Sequence, residues 1–242
     1  ASKKPKVYDI ENFNVTYAYS VLYHRDVDVE YEVQKQHRGG LGYNFNNNPK
    51  NVKPFEKAGF TKSKALKIIK DFNFYYLPKS FSFRTEMLRE YNEMKLRNKS
   101  DNPIKIIPTF VKKWDWNRTY NIRFDLTRGL SLELNAQADA FINEPPGSID
   151  KSSEYYDEAA ADTINVRDQI LGLGTMNRYT QNFNANYKVP IDKLPMLDWT
   201  GLTANYQASY TWTASPLSIQ QRLGNQIENS NTIQLNGNLA FE

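Results

Sequence analysis

A long amphipathic hairpin between Trp114 and Phe141 constrains the fold more than any other feature of this sequence. In its first arm apolar side chains occupy the even positions and polar side chains the odd ones. The even positions of the second arm are again apolar, from Leu130 to Ala140. Because successive side chains of a strand point to opposite faces, the alternation predicts two strands with one apolar and one polar face. The intervening Thr127-Arg128-Gly129 fits a three-residue turn, which preserves this parity and favours a left-handed conformation at Gly129.

The length of the two arms favours a membrane barrel over a soluble sheet. Each arm alternates for about a dozen residues, whereas strands of globular proteins average about 5–6 and a strand crossing a bilayer at a tilt needs about 9–11. The mean hydropathy is low, at −0.70. Barrel strands are apolar only at alternate positions, so a low hydropathy is compatible with them. A soluble β-sandwich shows the same alternation in shorter strands and stays open as an alternative.

Composition argues against several classes of function. The chain of 242 residues has no cysteine, which excludes disulfides and thiolate metal sites, and His24 and His37 lack metal-ligand spacing. The net charge of +4 is spread along the chain, unlike a nucleic-acid-binding stripe. Three carboxylate pairs occur in the sequence: Glu30/Glu32, Glu86/Glu90 and Asp157/Glu158. They fit solvent-exposed strand faces or loops and do not indicate a catalytic cleft. We therefore predict no enzymatic activity, cofactor or metal.

Alternating segments predict about ten strands. The strand-rich parts are about 10–46, 67–97, 114–142 and 178–242, and the long loops are about 46–66, 98–112, 143–177 and 214–229. Residues 13–33 fit either one strand or two joined through His24-Arg25-Asp26. Arg38-Gly39-Gly40 predicts a turn, and a strand with Phe72, Phe74 and Tyr76 is predicted to turn at Leu77–Ser80.

Helices are predicted only as short pieces. Ser63–Lys70 and Ser153–Asp162 fit short helices, and Thr163 fits the cap of a third that ends at Gly172 or Gly174. Residues 86–97 fit a strand or a helix.

From residue 46 onward long and short connections alternate, which is typical of an up-and-down outer-membrane barrel. The fold expected is all-β: an open, curved sheet of about ten antiparallel strands that forms a segment of a much larger transmembrane barrel. The short turns, marked by Pro78, Gly129 and Pro195, are predicted at one rim. The loops Asn98–Pro108, Asn143–Asn177 and Ser215–Asn229 are predicted at the other. The chain looks like a piece of something larger, so its terminal strands are expected to pair with protein outside it.

The alternation also predicts which side chains meet the bilayer. The candidate lipid-facing residues are Phe13, Val15, Tyr17, Tyr19, Val21, Tyr120, Ile122, Phe124, Leu132, Leu134, Tyr206 and Tyr210. The candidate interfacial girdle is Trp114, Trp116, Trp199 and Trp212, since each lies near a predicted strand end.

Several short runs resemble one family. They are Tyr23-His24-Arg25-Asp26, Arg38-Gly39-Gly40-Leu41, Tyr76-Leu77-Pro78-Lys79-Ser80, Trp114-Asp115-Trp116-Asn117-Arg118, Leu194-Pro195-Met196-Leu197-Asp198-Trp199 and Leu223-Gly224-Asn225. In order and spacing they resemble SprA/Sov, the giant outer-membrane translocons of the type 9 secretion system in Bacteroidetes, which are also known as gliding-motility proteins. The resemblance covers nearly the whole chain and is clearest from Phe72 to Asn238.

The resemblance implies a function and partners. It implies a pore in the outer membrane that passes folded cargo proteins, a periplasmic plug protein, a PorV-like partner barrel at a lateral opening, and the remainder of the same barrel chain. A porin or TonB-dependent transporter for small solutes is the first alternative, and a soluble β-rich binding domain is the second.

Overall fold

The structure is a computed structural model that describes residues 6–56, 67–100, 104–194 and 196–240. In these residues eight antiparallel strands form one sheet in sequence order. The strands are β1 (Phe13–His24), β2 (Val29–Asn46), β3 (Ser80–Leu96), β4 (Thr109–Asp125), β5 (Leu130–Phe141), β6 (Thr175–Val189), β7 (Thr200–Thr213) and β8 (Gln226–Leu239). The helices are short: α1 (Lys67–Lys70), α2 (Glu158–Thr163), α3 (Val166–Leu171) and α4 (Leu217–Leu223).

The predicted architecture is confirmed as an all-β, up-and-down, open sheet. Every neighbouring pair of strands is antiparallel, and β1 and β8 stand at its two ends without pairing to each other. Residues 13–33 belong to two strands, because Asp26 closes a turn by accepting hydrogen bonds from the amides of Asp28 and Val29 at 2.7 and 2.6 Å. These bonds hold the pKa of the Asp26 carboxyl below its usual range. Residues 86–96 are strand, within β3.

Three local predictions about strands and turns are wrong. The described chain has eight strands where about ten were expected. Arg38-Gly39-Gly40 is not a turn, because all three residues pair within β2 with both neighbouring strands. Phe72, Phe74 and Tyr76 form no strand, since only Phe74 pairs, in an isolated bridge to Val52. Pro78 therefore lies in a long connection that leads into β3 and does not mark a hairpin turn.

The helical predictions hold in part. Of the predicted helix Ser63–Lys70, α1 covers the end, and residues 63–66 lie outside the described residues. Asp157 caps α2, and Asn165 instead of Thr163 caps α3. α4 was not predicted, and β8 begins at Gln226, which shortens the predicted loop 214–229. Pro195 also lies outside the described residues, although the connection around it joins β6 to β7 as expected.

The central hairpin is confirmed, but the turn needs a glycine at position 129 for its close packing and not, as predicted, for a left-handed backbone. Pairs from Asp115 with Phe141 to Asp125 with Ser131 keep the even positions of β4 and β5 on one face. Gly129 does not have a positive φ. It lies instead against β6, where its carbonyl accepts a hydrogen bond of 2.7 Å from the Lys188 amide. A Cβ atom at Gly129 would lie 3.0 Å from the Lys188 carbonyl oxygen, so close approach explains the glycine.

We expect the substitution Gly129→Ala to lower the free energy of unfolding by about 1 kcal/mol, because its new methyl group meets backbone that is fixed in β6. Urea unfolding of the purified full-length protein measures this. Gly39→Ala is the matched control, since nothing lies within 4 Å of a Cβ there. An equal loss in both variants would contradict the explanation by close approach.

The connections lie at two rims. The lower rim carries the turn 126–129, the connection 190–199 and the long connection 47–79; the upper rim carries the turn 25–28 and the connections 97–108, 142–174 and 214–225. The short turns after β4 and β6 thus share one rim, as predicted. The predicted alternation of long and short connections from residue 46 onward is wrong at its start, because the expected hairpin at Leu77–Ser80 is absent and two long connections, 47–79 and 97–108, follow each other.

The strands are long and staggered. They contain 12 to 18 residues each. Phe13 is the first residue of β1, at the lower rim. The residues paired with it across the sheet lead to Asn229 in β8. Asn229 lies ten residues before the lower end of β8 at Leu239. The row runs through Tyr43, Phe83, Tyr120, Ala136, Gln181 and Tyr210. A shift of about ten residues over seven pairings, with ~3.3 Å per residue and ~4.8 Å between strands, corresponds to strands tilted by about 45° to the rim.

Candidate functional site: the two faces of the sheet

One face of the sheet carries most of its large apolar side chains, and we call it the apolar face. It contains the odd residues of β1, β2, β3, β6 and β8 and the even residues of β4, β5 and β7, because the strand register aligns these positions. A representative row contains Phe45, Phe81, Ile122, Leu134, Phe183 and Ala208. Aromatic contacts continue across strands, as between Phe83 and Tyr120, whose ring centroids are 5.1 Å apart.

The structure places all twelve candidate lipid-facing residues on this apolar face. Those of β1 are exposed, from 49% for Phe13 to 75% for Val15. Those of β4, β5 and β7 lie on the same face, and all but Tyr206 are half-buried. The opposite residues Asn14 and Asn121 lie on the other face, so the two sets are separated as expected.

Three of the four tryptophans lie towards the ends of the sheet. Trp114 and Trp212 are on the apolar face towards the upper rim, and Trp199 precedes β7 at the lower rim. The prediction that Trp116 lies near a strand end is wrong: it is midway along β4 on the apolar face, because that strand begins at Thr109. Trp116 is only 7% exposed, and its indole N–H donates to the Thr85 hydroxyl at 2.6 Å. Trp199 donates to the Met196 carbonyl at 2.8 Å. Indole rings therefore lie towards both rims, and the interfacial girdle stays a prediction for Trp114, Trp199 and Trp212.

The other face, which we call the polar face, carries mostly amides, hydroxyls and charges, some of which are paired. A representative row contains Asn44, Ser82, Asn121, Asn135, Asn182, Ser209 and Ser230. Cross-strand hydrogen bonds join Asn121 to Ser82 at 3.1 Å and Ser209 to Ser230 at 2.8 Å. Glu86 pairs with both Arg84 and Arg38. A surface of this kind stays hydrated and offers little apolar area to a passing solute.

Polar side chains interrupt the apolar face near the upper rim, and the sequence analysis missed them. Arg89 and Lys112 occupy apolar-face positions of β3 and β4. Arg118 occupies another such position in β4, four residues after Trp114, the partner of Arg89. Arg118 is 3% exposed, with its guanidinium 4.9 Å from the centre of the Trp116 ring. The signal for these residues was present in the sequence, because each places a charge at a position where the alternation calls for an apolar residue.

Residues 142–174, which we call the upper flap, cover this interrupted region. Glu144 forms a two-bond ion pair with Arg89, in which Nε donates to Oε2 at 3.1 Å. The Lys112 ammonium donates to the Pro145 carbonyl at 2.7 Å. The Tyr155 ring packs on Phe110, with centroids 6.1 Å apart. These contacts therefore fix the upper flap to the apolar face near the upper rim, above the most apolar rows of that face.

A more exposed ion pair lies at the edge of the upper flap. Lys105 and Glu154 are joined at 2.6 Å, which raises the pKa of the Lys105 ammonium and lowers that of the Glu154 carboxyl. Both side chains are about three-fifths exposed, so the pair adds little to the anchoring.

In the described ranges no three His, Cys, Asp or Glu side chains cluster as metal ligands. No helix within the described part of the chain has the length and apolar character needed to cross a membrane. Comparison with protein-family models and with curated proteins finds no match.

Proposed function

We propose that this chain forms part of the wall of a large outer-membrane β-barrel that conducts folded proteins, as the type 9 secretion translocons that it resembles do. The observation that carries the proposal is a continuous sheet of eight strands with one apolar and one polar face, in which each strand is displaced along its axis relative to its neighbour. The resemblance of the sequence implies the family and the folded cargo, and the geometry of the sheet supports a membrane wall.

The stagger of the strands supports a barrel wall. Strands of membrane barrels tilt by about 35–45° from the barrel axis, and the rim steps by a fixed number of residues for each strand. The tilt of about 45° estimated from the register agrees with this range. At that tilt, strands of 12 to 18 residues rise about 28–42 Å, enough to cross an apolar band of about 25 Å.

The open edges support a barrel wider than eight strands. Eight strands at this tilt span about 55 Å of circumference, which closed on itself would leave an interior filled by side chains. Here β1 and β8 do not pair. Neither edge contains a proline, and Glu228 is the only Asp, Glu, Lys or Arg in the two strands. Unprotected edges of this length require partners in hydrocarbon, so we infer that further strands pair with both.

The polar face supports a wide aqueous conduit. It carries charges of both signs, some of them paired, as in the Arg38, Arg84 and Glu86 group, and this mixture leaves no large single-signed patch that would hold a passing protein. In this proposal the apolar face contacts lipid, and the lower rim, which carries the short turns, faces the periplasm. A plug protein, a PorV-like barrel and the rest of the barrel chain are the partners implied by the resemblance.

Cysteine labelling tests the orientation of the wall. The chain has no cysteine, so single cysteines can be placed at Val15 and Ile122 on the apolar face, with Thr16 and Asn121 as neighbours on the polar face. In native membranes we expect a water-soluble maleimide to label the polar-face cysteines at least about tenfold faster, because hydrocarbon shields the others. Equal labelling of the two sets, or a full-length protein that stays folded in water without detergent, would overturn the membrane proposal.

A second measurement separates protein conduction from passage of small solutes. A cysteine at Gln137 on the polar face can be labelled with a bulky polymer in living cells. A protein-conducting pore then loses secreted cargo from the medium, while uptake of small nutrients is unchanged. Loss of nutrient uptake with normal secretion would favour the porin or transporter alternative.

A further inference from the structure

Arg118 carries a buried positive charge on the apolar face. It occupies an apolar-face position of β4, between Thr85 of β3 and Ala138 of β5, and is 3% exposed. Its guanidinium forms no hydrogen bond or ion pair within the described residues, and its Nε and Nη2 atoms are buried. Because buried charges in proteins are paired in nearly every case, an arginine in this state indicates an anion supplied from elsewhere.

The packing around Arg118 holds the guanidinium in place. It lies 4.9 Å from the centre of the Trp116 ring, as a cation–π contact. Trp116 is fixed in turn, because its indole N–H donates to the Thr85 hydroxyl at 2.6 Å. Ala138, the cross-strand neighbour, is small and leaves room for the long Arg118 side chain to pack against the sheet. An arginine that extends to the bilayer surface keeps its head group in water, so Arg118 does not reach the lipid head groups in this way.

The depth of Arg118 restricts which anions can reach it. Arg118 lies seven residues before Asp125, the lower end of β4, and four residues after Trp114. With ~3.3 Å per residue and a tilt of about 45°, it lies about 16 Å above that end and about 9 Å below Trp114. In the proposed wall this position is within the apolar band of about 25 Å, where a hydrated free ion does not enter. A protein segment inside the membrane can carry an acidic side chain to this depth.

Two other cations of the apolar face are bound within this chain. Arg89 pairs with Glu144, and Lys112 donates to the Pro145 carbonyl. Both partners belong to the upper flap, whose contacts lie nearer the upper rim. Arg118 differs from both cations, because no carboxylate among the described residues pairs with it.

We propose that Arg118 binds a carboxylate of a membrane-embedded segment of another protein, which lies against the apolar face at this depth in place of lipid. This inference rests on the proposed membrane wall, because only a bilayer around the apolar face places Arg118 in hydrocarbon. Ionisable side chains inside a membrane pair with one another or with backbone carbonyls and mark functional sites. A carboxylate is the preferred partner of a guanidinium, since the charges are opposite and two parallel hydrogen bonds can form.

A designed transmembrane peptide tests the proposal. The full-length protein is reconstituted in phosphatidylcholine bilayers with a peptide of about 20 leucine and alanine residues that carries one central glutamate, or with the same peptide carrying glutamine. Fluorescence energy transfer between labelled protein and peptide measures binding. We expect the glutamate peptide to bind about tenfold more tightly, and Arg118→Met, which removes the charge from a long side chain, to bind both peptides equally. Arg38→Gln is the matched control, since it removes an exposed cation from the polar face and should keep the preference.

The outcomes distinguish this site from the proposed function. If the protein requires detergent but binds both peptides equally, the Arg118 site alone is overturned; the same result follows if the rest of its own barrel chain supplies the carboxylate. Displacement of the glutamate peptide by phosphatidylglycerol would show that a lipid head group is the partner and would also reject the site. A protein that stays folded in water without detergent overturns the proposed function instead. Should Arg118→Met not fold, the comparison of the two peptides on the unmodified protein still decides.

Discussion

Arginine in place of Ile122 is expected to weaken assembly in the membrane. Ile122 lies on the apolar face three residues from the lower end of β4, in the row that contains Phe81 and Leu134. An arginine facing lipid costs about 2–4 kcal/mol at the bilayer midplane and less towards the interface, so we expect about 1–2 kcal/mol here, which lowers the ratio of folded to unfolded protein by about 5- to 30-fold. The measurement is the fraction of protein in isolated outer membranes that resists protease and denaturation by detergent.

Asn121→Arg is the matched control for this prediction. It introduces the same side chain one residue earlier in β4, on the polar face, where Asn121 is exposed to solvent. We expect assembly at the level of the unmodified protein. Equal assembly of the two variants would show that the apolar face does not contact hydrocarbon.

Neutralising Glu144 is expected to release the upper flap. Its side chain is 6% exposed and accepts two hydrogen bonds from Arg89, so Glu144→Gln leaves a half-buried guanidinium without its counter-ion. Breaking such a pair costs about 2–3 kcal/mol in opening free energy, which raises the open population of the flap by about 30- to 150-fold. Hydrogen exchange of the amides in residues 142–174, or their rate of cleavage by trypsin, measures the change.

Glu154→Gln tests whether the effect belongs to the buried pair. Glu154 lies in the same flap and pairs with Lys105, but both side chains are largely exposed. Water screens an exposed ion pair of this kind, so exchange should accelerate about fivefold at most. If the two variants release the flap to the same extent, the Arg89–Glu144 pair does not anchor it.

The central hairpin and the two faces could be predicted because their signal is local. Parity is fixed by the pleat: once Trp116 and Ile122 are assigned to one face, antiparallel pairing through a short turn places Leu134 there as well. The same alternation occurs in β1 and β7. Twelve residues that lie far apart in the chain can therefore be assigned to one face from the sequence. The turn at Gly129 was placed correctly, but its close approach to Lys188 could not be foreseen, since it depends on a strand some fifty residues later.

Predictions failed where several local structures fit the same residues. Phe72, Phe74 and Tyr76 alternate like a strand. In the structure, however, Phe74 pairs with Val52 and the Tyr75 amide donates to the Leu126 carbonyl, so this segment belongs to a rim connection. Arg38-Gly39-Gly40 has the composition of a turn. It remains extended because paired strands on both sides bond its backbone, and because Gly40 leaves room for the Thr16 hydroxyl, which would lie 2.7 Å from a Cβ.

The strand type, the parity of each strand and the separation of apolar from polar side chains can be read from the amino-acid sequence, because they follow from a two-residue period along the backbone. The stagger of the rims, the contact of residues 72–75 with Val52 and the β4–β5 turn, and the pairing of Arg89 with Glu144 come only with the folded sheet. Each of these depends on contacts between residues far apart in the chain, and a periodic pattern carries no information about which distant segments meet. The charges on the apolar face show this most clearly: the pattern marked Arg89 as an exception, but only the folded flap supplied its partner.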